Sequence, residues 1–361
     1  MNHETPLSPR PLQQFVPGSR RLLTTAQLRA RGVAAAETTA HCRPDGPWQQ
    51  ILPGVVLLHP DPPTGEERLH AVLLYVGRER NGGVPSQPGP RAGSGLGEAV
   101  ITGLAALALH GFASTPPLAD LEAIDVLVPR PRRLRSAGCA RILRTSALPE
   151  PELVTVPQAP GSVRAGDAHV PVAPVARALA DAVAELTDAS VVRRLLTEAV
   201  RGGHCEPAAV VRELTEAHLL SRPHVVDAVE SLLAEGRAIA EDRLYRMVRE
   251  YGLPDPVWNV GLRLPGGPDL GGVDAYWPDH AVAVDLDMGA ARHGHATCGI
   301  AGAPECPRKR EHLERLGITV VRLSPRQLRD APEHQAAVVR TALMAAADRE
   351  PAAYVVALPR L

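Results

Sequence analysis

Lysine is almost missing from this chain: of its 39 basic residues only Lys309 is one, and the rest are arginine. Aromatic residues are scarce too, with Phe, Tyr and Trp together numbering ten in 361 residues. So few rings exclude a broad platform for stacking bases and leave Ala, Val and Leu to build the core. No run reaches the roughly 18 uninterrupted apolar residues of a membrane helix. Residues 1–18 lack the apolar centre of a secretory leader, so a cytoplasmic location and no membrane partner are expected. The five cysteines (Cys42, Cys139, Cys205, Cys298, Cys306) are odd in number, which argues against a disulfide framework. A net charge of −1 excludes a uniformly polybasic nucleic-acid binder but leaves room for a local basic patch. The arginine skew, with an excess of Ala and Pro, fits a GC-rich genome, so arginine abundance alone carries no functional information.

What is present is a globular composition, 45% hydrophobic and 22% charged, in a length suited to two or three domains. The expected fold class is α+β and multidomain. Residues 1–19 are polar and proline-rich and read as a loose tail. Over 20–76 the order is short helix (26–31, capped by Thr24 or Thr25 and ended by Gly32), short helix (33–41), hairpin (48–59, turned at Pro53-Gly54), then helix (66–76). That is the order of a winged helix. Residues 77–97 are rich in Gly, Pro and Ser and read as a flexible loop. A middle α+β region, 98–235, is expected to open with a helix over 98–110, continue through strands 123–128 and 140–145, and end in helices from Pro174 onward. Residues 236–350 read as an α/β domain: helix 239–251, strands 257–264, 270–276 and 281–287, a loop, helix 308–316, strand 318–323 and helix 332–347.

This last domain carries the candidate chemistry. Glu241 falls on its first helix, Asp274 near the end of one strand, and Asp285 and Asp287 on the next. Two residues apart on a strand share a face, and the neighbours Val282, Val284 and Leu286 mark that strand as buried. Buried carboxylates need a counter-charge, and a pair of them suits Mg²⁺ (or Mn²⁺) holding a water against a phosphodiester. Solvated strand-end carboxylates are the competing reading.

Three motifs mark the N-terminal side: Thr24-Thr25-Ala26-Gln27, Leu52-Pro53-Gly54-Val55 and Ile101-Thr102-Gly103-Leu104-Ala105-Ala106. The C-terminal side carries Glu241, Val273-Asp274-Ala275-Tyr276-Trp277-Pro278, Val284-Asp285-Leu286-Asp287, and Arg310-x-x-Leu313 followed by Gly317-Ile318-Thr319-Val320-Val321-Arg322. In these motifs and their order the chain resembles a group of actinobacterial proteins that join an abortive-infection antitoxin-type winged helix to a C-terminal domain like the very-short-patch-repair endonucleases (the DUF559 type), within the PD-(D/E)XK nuclease superfamily. The resemblance implies a restriction-endonuclease-like C-terminal fold with Asp274 and Asp285 as Mg²⁺ ligands, Asp287 orienting water and Glu241 completing the shell. The chain departs from the pattern in carrying Asp285 for the usual glutamate, Met288 for a glycine and Asp287 for the superfamily's lysine. Lys309, on the following helix, is the implied source of the missing positive charge.

Between these motifs, His293, His295, Cys298 and Cys306 lie within 14 residues and offer four N/S ligands for tetrahedral Zn²⁺. The resembling repair enzymes hold a structural zinc in a similar stretch and also use a histidine near the acids, so His293 has two implied roles. A loop with unpaired thiols is the plainer alternative. The strongest basic cluster is Arg130, Arg132, Arg133 and Arg135, joined by Arg141 and Arg144, with no acid over 126–149. It suits DNA phosphates, or else a solvated loop. The second short helix offers Glu37, Thr38 and Thr39 but no Arg, Lys, Gln or Asn for base edges. The expected function is a DNA-associated, Mg²⁺-dependent endonuclease or its degenerate relative. The alternatives are a non-enzymatic antitoxin-type regulator acting on DNA or on a partner toxin, and a structural interaction protein.

Overall fold

A capping box starts the first helix: the Thr24 hydroxyl accepts from the Gln27 N–H while the Gln27 side chain accepts from the Thr24 N–H. The computed structural model describes residues 21–77, 99–156, 168–288, 305–346 and 355–359. The class is mixed α+β, in two compact units, Met1–Thr187 and Asp188–Leu361. The division therefore falls inside the region expected to form one middle domain.

In the first unit, β1 (Leu22–Thr24), α1 (Thr25–Ala30), α2 (Ala35–His41), β2 (Gln49–Leu52), β3 (Val55–Leu57) and α3 (Gly65–Val76) follow in order. The three strands form an antiparallel sheet, β1-β3-β2, with Gly54 at φ +72 turning the hairpin. Next come β4 (Val100–Thr102), α4 (Gly103–Leu109), β5 (Ile124–Pro129), β6 (Ala140–Thr145), β7 (Glu152–Val156), β8 (Ala168–Val172) and α5 (Val175–Glu185), with sheet order β6-β5-β4-β8-β7. The helix expected over 98–110 is thus a strand followed by a shorter helix. Gly103, at φ +63, makes the corner between them, a conformation that other residues reach only under strain.

The second unit begins with α6 (Ala189–Arg201), α7 (Pro207–Glu216) and α8 (Pro223–Glu250). The boundary expected at 235–236, between the middle region's last helices and helix 239–251, lies inside this one helix of 28 residues. Gly236, in its middle, is a packing residue and not a break: a Cβ there would lie 2.5 Å from Pro207 Cγ of α7. Beyond it, β9 (Val257–Arg263), β10 (Asp269–Trp277), β11 (Val282–Leu286), α9 (Glu305–Arg315), β12 (Thr319–Leu323), α10 (Pro325–Asp330), α11 (Pro332–Ala346) and β13 (Val356–Pro359) complete the unit. The sheet order is β12-β11-β10-β9-β13, with β11 and β12 parallel and the other neighbours antiparallel.

Side chains alternate along β11, so its two faces feed two cores. Val282, Val284 and Leu286 join Ala240, Leu244 and Met247 of α8 and Val339 of α11. Ala283 joins Val260, Leu262 and Tyr276 on the other side with Leu313 of α9. Helices α8 and α9 therefore cover opposite faces of the sheet.

Candidate functional site

Glu241 belongs to a row on α8, Arg237, Glu241 and Tyr245, spaced by four residues and so stacked on one side of the helix. The row lies one residue round from the buried stripe Gly236, Ala240 and Leu244, which brings it to the border of the sheet. Asp274 is carried on β10 where its pairing with β11 gives out: the last matched pair is Ala275 with Val284. Past that pair the Asp274 carboxylate takes over as acceptor, and its Oδ2 receives the Leu286 N–H at 2.6 Å.

Asp274 is 3% exposed, too deep for a carboxylate without a counter-charge. Its other oxygen, Oδ1, accepts from Nη2 of Arg237. The same guanidinium donates from Nε to Glu241 Oε1 at 2.8 Å. Two carboxylates from different elements thus converge on one cation. Burial and the negative charge of Glu241 and Asp274 together push the Tyr245 phenol above its ordinary range. The Tyr245 ring packs on Trp258 at 4.1 Å, and its hydroxyl accepts from Asn259 Nδ2 at 3.4 Å.

Asp285 alternates with Val284 and Leu286 and so points to the α9 face, where Lys309 Nζ donates to its Oδ1 at 3.0 Å. The same ammonium donates to the Gly272 carbonyl at 2.5 Å. A bulge in β10 makes room for this. Gly271 stands at φ +93, and a Cβ on it would lie 3.3 Å from Lys309 Cδ, so the lysine stem runs across the bare glycine. Lys309 and Asp285 are largely shielded, their side chains 17% and 12% exposed. Asp287, half exposed at the strand end, pairs with Arg322 at 2.9 Å.

The expected pairing is therefore redistributed. Asp274 and Asp285, predicted to share one Mg²⁺, are held by different protein cations that come from opposite faces of the sheet. The acid that joins Asp274 is Glu241. Asp287 belongs to neither group and is drawn off by Arg322. Lys309, the expected source of the missing positive charge, donates to Asp285. Among the described residues no group of three or more His, Cys, Asp and Glu converges as a metal site. Asp274 and Glu241, brought together by one guanidinium, are the carboxylates that could serve as oxygen ligands to a Mg²⁺ that keeps most of its waters. Arg237 was not singled out in the sequence. Its signal is the spacing of four from Glu241, which sets base and acid side by side on a helix.

His293, His295 and Cys298 of the candidate zinc set lie outside the described residues, and Cys306 falls in the first turn of α9. In the first unit, the basic cluster is partly consumed by the fold. Arg132 donates to the Val76 carbonyl, Arg144 to the Leu134 and Arg132 carbonyls, and Arg141 to Asp125 and Glu185. Arg130, Arg133 and Arg135 are exposed and enter no ion pair among the described residues. On α2 the Thr38 and Thr39 hydroxyls donate to their own helix, to the Ala34 and Ala35 carbonyls at 3.2 and 2.9 Å. His41 stacks on Trp48 with ring centroids 4.6 Å apart. No protein-family model matches the chain, and no curated protein is significantly similar to it.

Proposed function

We propose that this protein is a DNA-associated, Mg²⁺-dependent endonuclease whose second unit is of the PD-(D/E)XK kind and whose first unit begins with a winged helix. The observation that carries the reading is the placement of the one lysine. In a chain with 38 arginines, the single ammonium is delivered, shielded, to the carboxylate of Asp285. Arginine cannot stand in at such a point, because a guanidinium is bulky and planar and does not give up its proton, whereas an ammonium is compact and does. Held between Asp285 and the Gly272 carbonyl, the ammonium would fix the Asp285 carboxylate in place on the strand next to the one that carries Asp274. Asp274 and Glu241 are the oxygen donors that would hold Mg²⁺, and the bound ion would supply an activated water. The exposed Arg130, Arg133 and Arg135 support a phosphate-gripping surface on the first unit.

The antitoxin-type regulator is the second reading, and α2 speaks against its sequence-specific form. The hydroxyls there are turned back onto the helix, and the exposed positions Ala34, Ala35, Ala36 and Ala40 carry nothing to read a base edge. Nicking of supercoiled DNA with Mg²⁺ or Mn²⁺ is the test, comparing wild type with Asp274→Ala and Lys309→Arg. The endonuclease reading expects relaxation by wild type and a loss of two orders of magnitude or more in each variant, about the effect of removing one preorganised charge in Asp274→Ala and of displacing one in Lys309→Arg. DNA binding with no nicking under either metal would instead support the regulator.

A further inference from the structure

We infer that Arg237 is an internal counter-ion standing in the place of the divalent cation, so that metal loading and release of its guanidinium are one exchange. This rests on reading Asp274 and Glu241 as a cation-dependent pair, and it adds the residue that sets how readily that pair loads.

The geometry singles out this guanidinium. Among the described residues its hydrogen bonds go only to Glu241 Oε1 and Asp274 Oδ1, and it is the single cation on which both converge. Asp285 has its own ammonium and Asp287 its own guanidinium, so displacing Arg237 would uncover Asp274 and Glu241 and neither of those. Without a cation the two would repel, and Asp274, 3% exposed, would be a buried anion with one N–H for company. With Arg237 in place the trio carries one net negative charge. A divalent ion that takes its position leaves the pair neutral and frees the guanidinium.

The side chain can leave. Arg237 is 35% exposed while Asp274 beneath it is not, so it lies on the solvent side of the acids and at the mouth of the site. A structural pair would more often use both ends of the fork on one carboxylate, the arrangement that holds tightest. Here each acid receives a single donor. Once released, the fork stays tethered beside the loaded cation and matches the two free oxygens of a phosphodiester. The exchange therefore makes metal and DNA phosphate bind cooperatively, because each relieves the guanidinium of its other partner.

The test reads metal binding directly, on the full chain, by thermal unfolding across a Mn²⁺ titration in EDTA-stripped buffer. Wild type, Arg237→Gln and Asp274→Asn are compared. The exchange predicts that Arg237→Gln reaches half its Mn²⁺-induced stabilisation at about tenfold lower metal than wild type, a coupling of ordinary size. Asp274→Asn should show no stabilisation. Equal half-saturation in wild type and Arg237→Gln overturns the exchange while leaving the metal site standing. Mn²⁺ without effect on wild type and Arg237→Gln alike overturns both. Should Arg237→Gln fail to fold, Arg237→Lys decides: an ammonium bridges two acids less well than a fork, so its half-saturation falls below wild type if the exchange holds and matches it if not.

Discussion

Each unit of this protein buries an aspartate beside an arginine that also reaches a helical glutamate, and the two trios are built differently. In the first unit Asp125, 4% exposed on β5, takes both ends of the Arg141 fork, Nε on Oδ1 and Nη2 on Oδ2 at 2.7 Å, while Nη1 reaches Glu185 of α5 at 2.7 Å. Gly103 closes the other side, with Asp125 Oδ2 only 2.5 Å from where its Cβ would be. In the second unit Arg237 gives one donor to Asp274 and one to Glu241, and the second oxygen of Asp274 goes to a backbone amide. Both arginines touch two acids and both are about one-third exposed, so the difference lies at the buried aspartate: Asp125 takes two parallel donors from one fork and is crowded by Gly103, whereas Asp274 takes a single donor from its arginine. The same three residue types make a two-pronged tie between strand and helix in one unit and, on the reading proposed above, an exchangeable centre in the other.

The comparison breaks most sharply on removing each arginine. Arg141→Ala should destabilise the first unit by about 3 kcal/mol, the low end for a broken buried pair because the guanidinium is itself 38% exposed. Mn²⁺ should not restore it. Arg237→Ala should cost the second unit about 1–2 kcal/mol, since Asp274 keeps the Leu286 N–H, and Mn²⁺ should recover the loss. Differential scanning fluorimetry with and without metal separates the two, and a Mn²⁺ rescue of Arg141→Ala would erase the distinction.

The glycines beside the two centres sharpen it further. Gly103→Ala places a methyl against a fixed carboxylate at a positive φ and should cost about 2–3 kcal/mol. Gly271→Ala meets only the flexible stem of Lys309, at 3.3 Å, and should cost about 1–2 kcal/mol, nearly all of it from the backbone at φ +93. Denaturant unfolding of the two variants measures the order. The smallest effect is a titration. Since burial and the charges of Glu241 and Asp274 hold the Tyr245 proton on, Glu241→Gln removes one opposing charge and should lower the pH at which Tyr245 ionises. A difference spectrum of phenolate absorbance reads it. An unmoved transition would show that the Glu241 charge plays no part.

Much of the local structure was legible from the residues. The Thr24 cap, the hairpin at Pro53-Gly54 and the strands carrying Asp274 and Asp285 all lie where side-chain chemistry and period place them. Lys309 was singled out only through the resemblance, and its contact with Asp285 is a finding of the structure. Two misreadings turn on glycine, in opposite senses. Gly236 stands at the expected domain boundary but sits inside α8, packed against Pro207, and Gly103 reads as helix interior but makes a corner. Strands β7 and β8, which frame 157–167, carry too little alternation to be separated from loop by pattern. The site was half legible for a further reason. Spacing along one strand shows which acids share its face, but which acid meets Asp274 depends on the register between α8 and the sheet, a long-range fact that no local pattern contains.

The shielded lysine has a consequence for the chemistry of the whole chain. Reagents and enzymes that acylate or conjugate side-chain amines find a single target among 361 residues, and that amine is held between the carboxylate of Asp285 and the carbonyl of Gly272. The arginine side chains are inert to them, because a guanidinium is a poor nucleophile at neutral pH. Modification of a side-chain amine, read apart from that of the α-amino group by peptide mapping, is therefore a report on one atom, and its rate measures how often that one corner of the sheet opens.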